Sequence, residues 1–207
     1  MCARYRQTHA LSAVAQQLGV PMGIFADWGA SAAWGGSAAL GDSPRFNIRI
    51  SQRVLMMRSK GGHRELAEAE WGFLAPWDRK KRIFNAAAET AAVKPTFREA
   101  FHSRRCLLPA DGFYEWPKKQ PTLIRFDDDR VFCFAGLWTD ETVTMLTCAP
   151  NDFMRPIHHR MPVILPASHY DGWLDAKTAE AELGRMLLPV AWPGMRADAI
   201  AKLPSDI

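Results

Sequence analysis

Apolar residues recur along this chain at two spacings, and the change from one to the other divides it into elements. Leu11, Val14, Ala15 and Leu18 share one face of a helix that Thr8 is placed to cap and that Gly19 and Pro21 end. Phe46, Ile48 and Ile50 then alternate with Asn47 and Arg49, the period of a half-buried strand. Continuous apolar runs at 54–57, 106–108, 123–126, 131–137 and 143–148 read as further strands. Thr96 and Glu99 form a capping box ahead of Phe97, Ala100 and Phe101, which predicts a short helix at 96–103. Two more helical stretches are expected at 168–174 and 178–187. Residues 26–44 are rich in Gly, Ala and Ser, hold Trp28 and Trp34, and keep no period, so a long loop is expected there.

Strands outnumber helices and do not alternate with them in the βαβα rhythm of a parallel sheet. The expected class is α+β: a mainly antiparallel, curved or barrel-like sheet with short peripheral helices. Neither a repeat nor a linker divides the chain, so residues 1–207 are expected to form one domain. The 48% hydrophobic and 23% charged content excludes a disordered chain, a collagen-like repeat and a long coiled coil. A net charge of +4 permits a polyanionic partner without requiring one.

The longest apolar run, 131–138, is far short of a membrane span, and Arg4, Arg6, Gln7 and His9 interrupt any secretory signal. Cys2, Cys106, Cys133 and Cys148 contain no CxxC pair, which suggests reduced thiols in a cytoplasmic setting. His9, His63, His102, His158, His159 and His169 make no ligand spacing with them, so no metal is expected.

Met1-Cys2 is the first candidate for chemistry. Removal of Met1 would leave an N-terminal Cys whose α-amine (pKa about 7.7–8.0) and thiol (about 8.5) lie on adjacent carbons. Such an aminothiol condenses with an aldehyde to an imine, which the thiolate can close to a five-membered thiazolidine. The alternative is a terminus with an incidental cysteine. In FNAAAET (84–90), Asn85 and Glu89 stand among small residues at what reads as a strand entering a turn. In DGFYEW (111–116), Glu115 lies between Tyr114 and Trp116. It either alternates outward to solvent or is buried with a raised pKa suited to proton transfer.

PIHHRMPVIL (156–165) puts two imidazoles beside Arg160 where a loop enters a strand, a pairing suited to a phosphate-bearing substrate. Arg4, Arg6, Arg49, Arg53, Arg104, Arg105 and Arg160, with Trp28, Trp34, Trp71 and Trp77, have the composition of a single-stranded nucleic acid groove. A scatter of arginines and buried tryptophans reads equally.

Taken in order, five segments resemble the SOS response-associated peptidase (SRAP) family, whose members attach covalently to abasic sites in single-stranded DNA. MCARY is similar to the family's MCGR(F/Y), and WGFLAPW (71–77) to its WG-x-x-P-x-W. FNAAAET is similar to NAR-x-ET, DGFYEW to GF/W-Y/F-EW, and IHHRMPVIL to IH-x-RMP. The resemblance implies an SRAP-type fold, no cofactor, and abasic single-stranded DNA as the partner, with the protein cytoplasmic and nucleoid-associated when bound. It implies that Cys2 forms the thiazolidine with the ring-opened sugar and that Asn85 orients the Cys2 main chain. Glu115 would assist Met1 removal and sugar opening by proton transfer, and His158 would help open the sugar and handle the imine. Arg4, Trp77, Thr147 and Arg160 resemble DNA-contacting or wedge positions.

Two departures stand out. Ala87 replaces the arginine of NAR-x-ET, so a phosphate contact is expected to be missing unless Arg49 or another nearby arginine supplies it. Asn47-Ile48-Arg49-Ile50 replaces N-x-A-P. Two other activities fit the same residues: a cysteine-type peptidase using Cys2, His158 and Glu115, and a non-catalytic single-stranded DNA-binding module. A peptidase nucleophile needs no free α-amine, whereas the crosslinking reaction does.

Overall fold

The computed structural model describes residues 3–20, 43–75, 78–139 and 141–204. Its elements run as β1 (Arg4–Gln7), α1 (Leu11–Gln17), β2 (Arg45–Arg49), β3 (Arg53–Lys60), β4 (His63–Trp71), β5 (Phe73–Ala75) and β6 (Asp78–Ile83). β7 (Asn85–Ala87), α2 (Ala88–Ala91), α3 (Pro95–Ser103), β8 (Arg105–Ala110), β9 (Gly112–Glu115) and β10 (Thr122–Phe126) follow. The chain ends with β11 (Phe132–Trp138), β12 (Thr142–Cys148), β13 (Met161–Pro162), β14 (Ile164–Leu165), α4 (Tyr170–Leu174), α5 (Glu180–Met186) and β15 (Met195–Ala199).

β4, β3, β8, β11 and β12 pair antiparallel in that order, and β12 returns to β4 in parallel, so five strands close into a ring. Closure leaves these strands few exposed edges, and β7, β13 and β14 cover what remains of β12 and β11. A second sheet runs β15-β10-β9-β1-β2, with β1 held between β9 and β2. Tyr5 meets Trp71 and Phe134 edge-on at 5.4 and 5.8 Å, and Phe113 meets Phe134 at 5.9 Å, so aromatic contacts join this sheet to the ring. This is the expected α+β class.

Every residue of β8 and β12 is buried. Strands covered on both faces read as continuous apolar runs, which is why these segments stood out. β4 did not: HRELAEAEW has helix-forming composition, and its glutamates are held instead by arginines of β3 and β6. Arg58 pairs with Glu65 at 2.5 Å, Arg53 with Glu68 at 2.8 Å and Arg82 with Glu70 at 2.9 Å.

Several local expectations are corrected. Ala10, not Thr8, precedes α1 as its cap. Thr8 instead donates through its main-chain N–H and its hydroxyl to Asp111, at 2.5 and 2.9 Å. α3 begins at Pro95, whose fixed φ suits the first helical position, so Thr96 lies inside the helix and forms no capping box. On β2, Phe46 is exposed and Asn47 buried, because Asn47 accepts from Arg4 and donates to the Pro204 carbonyl. FNAAAET enters helix α2 rather than a turn. The loop expected at 26–44 lies, except for Ser43 and Pro44, outside the described residues, as do Cys2 and Trp77.

Arg105 was grouped with candidate nucleic-acid contacts but is 4% exposed. Its guanidinium donates to the carbonyls of Phe101 and His102 at the end of α3 (2.5 and 2.8 Å). It also donates to those of Trp173 and Asp175 at the end of α4, both at 2.6 Å. Two helix C-termini, whose last carbonyls lack partners within the helix, therefore share one cation. Arg105→Met keeps the stem's volume and leaves these carbonyls bare. The expected loss is about 3 kcal/mol, or about 6–12 °C in melting temperature for a chain of this size, read by thermal unfolding. An unchanged melting temperature would mean that water replaces the guanidinium without cost.

Candidate functional site

Glu115 ends β9, in the second sheet. β9 pairs with β1 as Tyr5 to Phe113, and the same register carried two residues further sets position 3 opposite Glu115. The side chain does not alternate outward: the residue is 3% exposed and Oε1 has no hydrogen-bond partner among the described residues. Burial pushes its carboxyl up to about 6, while the charge of the nearby His159 imidazole pulls the other way. A protonated acid can thus persist here at pH values where an exposed glutamate is ionised.

The His-His-Arg segment comes from the connection between β12 and β13. His158 and His159 stack at 4.3 Å with their planes 26° apart. His158 Nδ1 lies 3.0 Å from both the main-chain N–H and the carbonyl oxygen of Arg160, so the Arg160 backbone fixes the ring's orientation. Burial lowers the His158 pKa, favouring the neutral form. His159, which occupies a variable position of the motif, lies electrostatically closer to Glu115 than the sequence pattern suggested.

Asn85 opens β7, paired in parallel with β12 as Asn85 to Met145 and Ala87 to Thr147. Arg160 holds this region together. Its Nη1 and Nη2 donate to both oxygens of Glu89 at 2.7 and 2.8 Å, and Nη2 also reaches the Thr147 carbonyl at 2.5 Å. The ion pair holds the Glu89 carboxyl below its ordinary range. Thr147 is 2% exposed, so its side chain supports the site from beneath. A cleft of about 610 Å³ opens here, lined by Asn85, Ala87, Lys94, Thr147, His159 and Arg160 among others.

Arg4 lines a different depression of about 360 Å³, together with Arg49, its direct cross-strand partner in β1–β2 pairing. Arg49 therefore does not line Ala87's cleft; Lys94 and the Glu89-paired Arg160 do. Sequence reading passed over Lys94, whose only signal was its position before the proline that starts α3. Other candidate contacts prove structural: Trp71 is fully buried and donates to the Phe84 carbonyl at 2.8 Å, and Arg6 pairs with Asp111 at 2.6 Å. Among the described residues, no group of three or more His, Cys, Asp or Glu converges to hold a metal, and no helix is long and apolar enough to cross a membrane. Cys106, Cys133 and Cys148 are buried free thiols, and burial raises the pKa of each.

Comparison with other proteins gives this arrangement its setting. The chain is 37% identical over 179 residues to the abasic site processing protein YoaM of Bacillus subtilis, covering 77% of this chain and 79% of that protein. To YedK of Escherichia coli, also named an abasic site processing protein, it is 28% identical over 142 residues, covering 63% of this chain and 64% of YedK. The crystal structure of a protein from Bacteroides thetaiotaomicron superposes with a TM-score of 0.77 at 25% identity, covering 96% of this chain and 92% of the other. The profile of the SOS response associated peptidase family matches residues 1–203, and the chain belongs to that family.

Proposed function

We propose that this protein recognises abasic sites in single-stranded DNA and shields them by a covalent bond to Cys2, exposed by removal of Met1. The observation that carries the reading is Glu115: a buried carboxyl with an oxygen left unpartnered among the described residues, on the strand beside the start of β1, holding its proton up to about pH 6. Membership of the family and the names of the relatives supply the substrate class.

The chemistry balances without a cofactor. Protonation of the ring oxygen of the abasic sugar by Glu115, aided by His158, favours the open aldehyde. The Cys2 amine adds to the aldehyde carbon, one water leaves, and an imine remains. The thiolate then adds to the imine carbon, the nitrogen takes up a proton, and a thiazolidine ring closes. Asn85 orients the Cys2 main chain. Arg4, Trp77, Thr147 and Arg160 are proposed to guide the strand, Arg160 and Thr147 by shaping the cleft. The whole of residues 1–207 serves as one domain, acting in the cytoplasm.

Mass spectrometry of the intact protein with an abasic oligonucleotide tests this. The expected product has the mass of the Met1-less protein plus the oligonucleotide less one water, and N-terminal acetylation abolishes it. Absence of that mass, or its persistence after acetylation, would overturn the reading. A cysteine-type peptidase would instead keep its activity when acetylated.

A further inference from the structure

We propose that the cleft beside Ala87 receives the nucleobase next to the abasic sugar, with Lys94 on the phosphate that joins them. The inference rests on the abasic-site reading and adds a neighbour requirement to it.

Ala87 contributes only a methyl group to this cleft, and Ile83, Pro95 and Phe97 add apolar lining. Its volume, about 610 Å³, is in the range of small-molecule sites and ample for a nucleotide. The cleft is continuous with Asn85 and Arg160, so its occupant lies next to whatever reacts there. Charge identifies that occupant. Arg160 is neutralised by its two-pronged bond to Glu89, whereas the exposed Lys94 has neither a side-chain ion pair nor a side-chain hydrogen bond among the described residues. One uncompensated cation beside apolar lining complements one phosphate attached to one flat, weakly polar ring. An acidic peptide would match the cation and leave the apolar lining unused.

The test uses single strands of fixed length bearing one abasic site, with the neighbouring residue on the 5′ or the 3′ side either a normal nucleotide or a base-free tetrahydrofuran. Non-covalent affinity is measured by fluorescence anisotropy with Cys2→Ala protein, and adduct formation is followed separately with Cys2 intact. Removing the base on one side, and only one, is expected to weaken binding about tenfold. Ala87→Phe, which puts a ring where the base would lie, is expected to erase that difference. Lys94→Gln, at an exposed side chain, is expected to keep the base preference and reduce the log–log salt slope by about 0.7.

Equal affinity for all strands, a preference that survives Ala87→Phe in folded protein, or an unchanged salt slope in Lys94→Gln would each overturn the proposal. A base preference without any adduct would leave this cleft assigned and sink the crosslinking reading. An adduct without base preference would do the reverse.

Discussion

Cys2→Ala protein mixed with abasic single-stranded DNA is expected to yield no conjugate that survives heat and denaturing electrophoresis, only a complex that salt dissolves. The reason is stoichiometric. The thiazolidine needs nitrogen and sulfur on adjacent carbons of one residue, and among the cysteines only position 2 can offer both once Met1 is gone. Cys106, Cys133 and Cys148 cannot substitute: they are buried, their amines are in peptide bonds, and burial raises the pKa of each thiol. Cys2→Ser should trap at most a labile imine, because a hydroxyl ionises far less readily than a thiol and closes the ring poorly. A heat-stable conjugate at wild-type yield from the alanine variant would end the thiazolidine proposal.

Glu115→Gln is expected to move activity and stability in opposite directions. With its proton fixed in a carboxyl that burial holds at about 6, Glu115 can donate to the sugar ring; an amide cannot. Adduct formation should slow by about a hundredfold. The wild-type rate should fall as the pH rises past about 6, a limb absent from the variant. Stability follows from the same shift. The folded-state pKa is raised from 4.5, so the folded protein is favoured by the bound proton. That contribution is complete below the unfolded pKa and is lost as the pH climbs through about 6. At pH 7.5 the buried charge therefore costs about 2 kcal/mol. Gln, neutral at every pH, should recover about that much and raise the melting temperature by about 4–8 °C. At pH 4 the two proteins should melt together. Equal melting temperatures at both pH values would show that water reaches the carboxylate in the folded state.

How much of this was legible beforehand varied with the kind of burial. β8, β11 and β12 announced themselves because strands covered on both faces are apolar at nearly every position. β4 and β15 were missed because their polar residues are satisfied across strands, as Arg125 on β10 is by Asp198 on β15 at 2.8 Å; one-dimensional patterning has no access to such pairs. Thr8 looked like a helix cap by type and spacing, yet Asp111, remote in sequence, competed for its hydroxyl. At the candidate site, the motifs singled out Asn85, Glu115 and His158, but not the environment that gives them their chemistry. Whether Glu115 faces solvent or the interior depends on β1 lying against β9. Arg160 reads as a free cation until Glu89, 71 residues earlier in the chain, comes to meet it. The Ala87 cleft owes its room to a missing side chain, and its significance is visible only where the start of α3 brings Lys94 and Pro95 into the same lining.

The closed ring also fixes the order in which the protein can become competent. β4 is synthesised about seventy residues before its parallel partner β12, and β7, which carries Asn85, can dock only on β12. While the ribosome is between these segments, β4 and β7 are paired on one side at most. The nascent chain then holds an open edge of the kind that invites association with other strands. Ring closure must bring together residues this far apart before the pairing itself gives any return, which is a slow class of folding event. His158, His159 and Arg160 follow β12 directly, so closure and assembly of the reactive groups belong to the same late step. Chains interrupted before residue 148 should thus be both aggregation-prone and unreactive, and the proposed reaction would be open only to molecules that have finished folding.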